Sequence, residues 1–216
     1  MAQDMKKSGY SAVDSHEEKA IALSRRYVLK AAFAGVMAGL AVPLLPRLSA
    51  FASEASGGKA LIVYFSRTGN TREVAGQIRK RTGGDMLELK TAHSYPEAYR
   101  ATTEQAKREQ EEGFRPILTA DVESVRPYDV IFIGYPNWWG TMPMAFFTFL
   151  EKHDFAGKTL VPFCTHEGSA LGRGPRDIAG LCPDARIMDG LAVRGSDASE
   201  AQADVDQWLR RIGLNG

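Results

Sequence analysis

Residues 59–71, Lys-Ala-Leu-Ile-Val-Tyr-Phe-Ser-Arg-Thr-Gly-Asn-Thr, constrain the fold more than any other stretch of this chain. An unbroken apolar run from Ala60 to Phe65 stops at Ser66, and helix-favouring sequence resumes after Thr71. Apolar residues without polar alternation read as a strand buried on both faces, the habit of parallel sheets. The turn that follows gathers the hydroxyls of Ser66, Thr68 and Thr71 with Gly69 and Asn70 at a helix N-terminus. Amides point outward there and the helix dipole adds partial positive charge, so the turn suits a phosphate. It also suits an ordinary strand-to-helix turn in which Ser, Thr and Asn cap the helix. Arg67 could add charge, but amides suffice in such nests and its side chain is expected in solvent. The Lys and wider Gly spacing of a triphosphate loop are missing, as is a G-x-G-x-x-G turn. A single terminal phosphate monoester is therefore the ligand expected.

Strand-like runs recur at 59–65, 86–90, 128–135, 158–164 and 186–193. Helix-like segments fall between and after them at 71–82, 97–112, 142–152, 172–181 and 198–211. Five such units predict an α/β three-layer sandwich around a parallel sheet. Ligands of open α/β sheets gather beyond the carboxyl ends of the strands. Segment 91–127 is long for one connection, and its charged run Glu104–Glu112 reads as a solvated helix.

Two more loops belong at that carboxyl edge. The third strand runs into Tyr135-Pro136-Asn137-Trp138-Trp139-Gly140-Thr141-Met142-Pro143. Each indole carries roughly 150–250 Å² of mostly apolar surface, so two adjacent tryptophans need cover. They can reach the core, or they can stack on a flat aromatic ligand beside the phosphate turn, with Gly140 allowing close backbone approach. The fourth strand leads to Thr165-His166-Glu167-Gly168-Ser169-Ala170-Leu171-Gly172. No G-x-S-x-G elbow surrounds Ser169, so it is not read as a nucleophile. His166 beside Glu167 is either a proton-handling pair or surface polarity.

With 44% hydrophobic and 25% charged residues and a net charge of +1, the chain has no global basic field for nucleic acid. The charge is unevenly spread. Residues 1–52 carry seven Lys/Arg against four Asp/Glu, and residues 53–216 carry 20 against 22, giving +3 and −2. Ser24-Arg25-Arg26-Tyr27-Val28-Leu29-Lys30, the apolar Ala31–Val42, then Pro43, Pro46 and Ala50-Phe51-Ala52 resemble a bacterial twin-arginine export signal. The expected division is a signal peptide over 1–52 and a domain over 53–216. Localisation is then periplasmic or otherwise extracytoplasmic, with the twin-arginine translocase as a transient partner. The apolar run is short of the ~20 residues a membrane span needs; an uncleaved anchor is the alternative. Cys164 ends a strand and Cys182 ends the helix after it. A ten-residue helix is about 15 Å long, against the ~7 Å limit for bridged Cα atoms. Two buried, unpaired thiols are expected.

A terminal phosphate and a stacked planar ring together describe flavin mononucleotide (FMN), and here the chain resembles the flavodoxin family. The likeness rests on Phe65–Thr71, Tyr135–Gly140 and Phe163–Ser169, and extends to Gly190–Gly195 and Val205–Leu209, over residues 59–213. It implies a five-stranded parallel sheet in the order 2-1-3-4-5. It also implies FMN phosphate on Ser66, Thr68, Gly69, Asn70 and Thr71, with Arg67 in the same turn. The isoalloxazine would lie against Pro136, Asn137, Trp138, Trp139 and Gly140, and against Thr165, His166, Glu167, Gly168 and Ser169. Tyr95 or Tyr99 would close the site from the side. Members carry electrons for partner proteins. A reductase taking hydride from a nicotinamide and passing electrons to a quinone or other small acceptor is the alternative, and a non-catalytic FMN-binding module a third. The chain departs from the family in two respects: strong acidity is missing, and His166-Glu167 stand where many short relatives carry Ser-Gly. A Glu167 carboxylate facing the flavin's pyrimidine edge would lower its potential.

Overall fold

The structure is a computed structural model and describes residues 59–214. The export signal, its cleavage site and the boundary at 52/53 lie outside the described residues. In chain order the elements are β1 (Ala60–Tyr64), α1 (Asn70–Thr82), β2 (Asp85–Glu88), β3 (Lys90–Thr91), α2 (Tyr99–Glu111), β4 (Leu118–Ala120), β5 (Val130–Pro136), α3 (Met144–Lys152), β6 (Thr159–His166), α4 (Gly174–Leu181), β7 (Arg186–Ile187), β8 (Leu191–Arg194) and α5 (Gln202–Arg211). A 3-10 helix, Gly195–Glu200, joins β8 to α5.

The main sheet runs β2-β1-β5-β6-β7, with β8 also beside β6, and every pairing in it is parallel. Counting β7 and β8 as one interrupted strand, this is the expected order 2-1-3-4-5. Period-two alternation divides the core between two faces. Leu61, Val63, Ile131, Ile133 and Leu160 pack with Phe146 and Phe149 of α3 and Ile178 of α4. Ile62, Tyr64, Phe132, Val161 and Phe163 pack with Val74 and Ile78 of α1 and with Val205 and Trp208 of α5. The strands read as continuous hydrophobics because both faces are covered.

Three features differ from the sequence reading. The fifth strand is split: Leu160 pairs with Ile187 and Phe163 with Leu191, so the edge chain holds one extra residue across the gap. That bulge sits opposite Pro162, which has no N–H to give the ladder. Second, segment 91–127 contains half of a small antiparallel pair, β3 with β4, whose two- and three-residue strands carry no readable periodicity. Third, the start of the helix expected over 198–211 is the 3-10 turn, and α5 proper begins at Gln202. Cys164 and Cys182 are buried and unpaired, as expected. Burial pushes the Cys164 thiol up to about 12 and that of Cys182 to about 11. Among the described residues no helix is long and apolar enough to cross a membrane.

Candidate functional site

The first loop turns the chain from β1 into α1 through Gly69, whose φ of 98° lies in the left-handed region that favours glycine. The helix has no side-chain cap from this residue. Ser66 Oγ accepts the amide of Arg72 at 3.3 Å, so this hydroxyl does part of the capping instead. Among the described residues, the amides of residues 66–71 have no hydrogen-bond partner, leaving a row of donors at a positive helix end. The Arg67 side chain is not in free solvent. It is half-buried, and its guanidinium bonds to the carbonyl of Glu97, with that of Pro96 at 3.5 Å. These are carbonyls just ahead of α2, and they give the side chain a nearby acceptor.

In the second loop, Trp138 and Thr141 exchange amide–carbonyl bonds of 2.8 and 3.1 Å around Trp139 and Gly140, with φ of 51° and 83°. Positive φ at both central residues is the signature of a type I′ turn. A tryptophan in that conformation costs about 1–3 kcal/mol. Its indole N–H donates to the Thr103 carbonyl at 2.8 Å, and the Lys107 ammonium lies 5.3 Å from the ring centroid. Trp139 is nonetheless 51% exposed. Trp138 is half-buried and meets Phe65 and Tyr95 edge-on at 5.5 and 4.9 Å. One tryptophan thus leans on an aromatic cluster, and its neighbour stands at the rim.

Asn137 ties the second loop to the third. Its backbone amide donates to the Thr165 carbonyl at 2.9 Å and its side-chain amide to the Ala170 carbonyl at 2.7 Å. The hydroxyls of Thr71 and Thr165 meet at 2.8 Å, joining the first loop to the third. His166 Nδ1 accepts the Gly168 amide at 2.8 Å, which leaves the proton of a neutral ring on Nε2. Among the described residues no hydrogen bond joins His166 to Glu167. The Glu167 carboxylate instead lies over Gly195: a Cβ there would fall 2.5 Å from Glu167 Oε1 and 2.8 Å from Asn70 Nδ2. Glycine is what lets both side chains occupy that spot.

The three loops enclose a cavity of about 610 Å³. The first loop contributes Arg67, Thr68, Asn70 and Thr71, the second Pro136 to Trp139, and the third Thr165 to Ser169. Ser66, Gly69 and Gly140 do not line it, since they act through backbone conformation and capping. Tyr99 lines it; Tyr95 does not, standing behind Trp138 with its hydroxyl on Glu109. The sequence reading missed Thr102, Thr103 and Gly195. Tyr99, Thr102 and Thr103 share one face of α2 by i, i+3, i+4 spacing, a pattern that could have found them.

A three-layer sandwich with unpartnered amides ahead of α1, two tryptophans and a cavity at its carboxyl edge defines a domain of the doubly wound α/β class. A family model described as Flavodoxin matches residues 59–212, and the chain belongs to the flavodoxin family. Two solved structures assigned as flavoproteins, from Bacteroides eggerthii and Bacteroides uniformis, are each 31% identical with a TM-score of 0.64. The alignments cover 72% and 71% of this chain and 98% and 99% of theirs. A Lactobacillus acidophilus flavoprotein, solved in complex with FMN, shares the fold at 23% identity and TM-score 0.55, over 70% of this chain and 98% of that one. A flavodoxin from Haemophilus influenzae is 28% identical over 101 residues, 45% of this chain and 44% of its own. The chain therefore spans less than half the length of that curated relative.

Proposed function

We propose that this domain binds FMN and carries electrons to or from protein partners. The carrying observation is the row of unpartnered amides at residues 66–71, beside a cavity that Trp138 and Trp139 also line. The fit is good on size as well, because about 610 Å³ falls within the ~300–1,000 Å³ usual for small-molecule sites. In this reading Thr68, Asn70 and Thr71 hold the phosphate, with Ser66 and Gly69 shaping the turn and Arg67 bracing it against the approach to α2. Pro136 to Trp139 and Thr165 to Ser169 hold the ring system, with Gly140 shaping the turn. When bound, FMN supplies one- and two-electron transfer. The chain's residues orient it and exclude water from all but its exposed edge.

A second reading, FMN-dependent reduction of a quinone or other small acceptor by a nicotinamide, has its own support. Tyr99 is 75% exposed and Trp139 half exposed at the cavity mouth, offering flat surface to an incoming ring. The −2 charge of residues 53–216 also gives little electrostatic steering toward a basic protein. A visible spectrum of purified protein tests the shared claim: flavin absorbance with release of FMN on denaturation is expected. A colourless protein that takes up no added FMN would overturn both. Rapid bleaching by NADH or NADPH would then select the reductase, and inertness to both the carrier.

Export through the twin-arginine route is part of the proposal, supported by Ser24–Lys30 and the Ala50-Phe51-Ala52 site. That route carries folded proteins, so FMN would be inserted before crossing. An Arg25→Lys/Arg26→Lys variant should remain in the cytoplasm; normal export would refute the assignment.

A further inference from the structure

Behind the cavity, Trp138, Tyr95 and Glu109 stand in file, and FMN binding leaves the last two without a task. Trp138 is part of the cavity wall. The Tyr95 ring meets it edge-on, with centroids 4.9 Å apart and an interplanar angle of 77°. The Tyr95 hydroxyl donates to Glu109 Oε2 at 2.5 Å. Glu109 is only 8% exposed, and its other oxygen accepts from Gln105 Nε2 at 2.8 Å. None of the ion pairs among the described residues includes it. Burying a carboxylate with neutral donors alone is costly. A glutamine would accept the same phenolic bond without that cost. What a carboxylate adds is the capacity to take a proton.

The phenol keeps its proton at rest: burial first, then the hydrogen bond and charge of Glu109, push Tyr95 above its ordinary range. Removing an electron reverses this, because an oxidised phenol is a strong acid. Glu109 also lines a second cavity of about 350 Å³ beside His93, Arg108 and Glu112. The file therefore runs from the ligand cavity at one end to a separate recess at the other.

We infer that Trp138, Tyr95 and Glu109 form a relay that drains an electron vacancy from the cavity. A one-electron oxidant held there, light-excited flavin being the case at hand, takes one electron from Trp138. Tyr95 returns one electron to Trp138, its O–H bond breaks, and the proton passes to Glu109 Oε2. The oxidant is reduced by one electron, Tyr95 is left as a neutral radical, and Glu109 is left protonated. The inference rests on the FMN reading for its oxidant. Its effect is to remove damaging oxidation from the ring that touches the ligand.

The test uses the full chain, with Tyr95→Phe and Glu109→Gln as variants. FMN uptake is measured first by absorbance, and laser-flash transient absorption and electron paramagnetic resonance follow. In the loaded wild type a tyrosyl radical is expected, forming more slowly in D2O. In Tyr95→Phe it should vanish, leaving a longer-lived tryptophan signal. Glu109→Gln keeps an acceptor for the phenol but removes the base, and a positioned base is worth on the order of a hundredfold in rate. Tyrosyl formation should slow by about that factor at unchanged FMN uptake. Wild type that binds FMN but forms no tyrosyl radical, or a Glu109→Gln rate equal to wild type, would overturn the relay alone. Failure of the wild type to take up FMN would overturn the binding reading and the relay with it.

Discussion

The two long walls of the cavity are built on different terms. On one side, α1 is anchored in the sheet core by Val74, Ala75 and Ile78, all fully buried, and is preceded by the unpartnered amides of residues 66–71. On the other, α2 lies beside α3 and offers side chains: Tyr99 in solvent, and Thr102 and Thr103 whose hydroxyls are already bonded to nearby carbonyls. The first wall gets its chemistry from where the main chain must go and is inseparable from the core. In the second, exposed Tyr99 can change with little consequence for the fold, whereas Thr102 is itself buried. In the proposed function, binding would be fixed by the main chain on one side and open to specialisation at the exposed positions of the other.

The sharpest break of this contrast is in stability. Ile78→Ala should cost about 2–5 kcal/mol in urea unfolding, the usual range for a fully buried aliphatic truncation. Tyr99→Ala should stay within about 0.5 kcal/mol, as exposed positions do. Similar losses in both would abolish the distinction. Next in size, Thr71→Val keeps the shape of a buried side chain but strands the Thr165 hydroxyl and removes a donor from the cradle. FMN titration should show affinity falling by about 1–3 kcal/mol. Unchanged affinity would argue against a phosphate at this wall.

A smaller effect of opposite sign is expected at Glu167. Its carboxylate shares the space over Gly195 with Asn70, next to the proposed phosphate position. Like charges about 4 Å apart in water repel by about 1 kcal/mol. Glu167→Gln should therefore tighten FMN by up to about that amount at low salt, and weaker binding would relocate the carboxylate. The remaining prediction concerns Asp121, held at the end of α3. Burial raises the Asp121 carboxyl, but bonds from Lys152, His153 and the Val122 amide outweigh it, holding the group below its ordinary value near 3.8. A depressed carboxyl stabilises the fold above its unfolded value and loses that contribution as pH falls through the folded one. Denaturation midpoints should thus drop below about pH 3.8 in wild type, and less steeply in Asp121→Asn. Parallel pH curves would show that this cluster is not titrating with folding.

What could be read from the sequence follows the same divide. The cradle, the parallel strands and the three loops were legible because continuous apolar runs mark buried parallel strands, and a turn of small hydroxyls marks where the main chain opens. The strand order came from the family likeness instead. The α2 wall was not. Its charged run reads as wholly solvated, whereas Glu109 within it is buried. Of its cavity-lining residues only Tyr99 was anticipated, as an alternative to Tyr95, and the i, i+3, i+4 spacing that joins it to Thr102 and Thr103 went unused. β3 and β4 are too short for a period to appear. The bulge at Pro162 had a visible cause, yet its effect depends on which neighbour the missing N–H would have faced. Gly195 was noticed as part of a likeness but not as a site residue, because closeness between Glu167 and Asn70 is a property of folded space alone.

The contact between Thr71 and Thr165 has a consequence of its own. Two oxygens 2.8 Å apart can share one hydrogen, and either residue can supply it. Whichever donates leaves its neighbour's hydrogen as the spare, so the couple has a single outgoing arrow at any instant. A guest accepting at one loop sets that arrow and withdraws the offer at the other. Both side chains are buried, so a guest held at the first loop would set the polarity offered at the third.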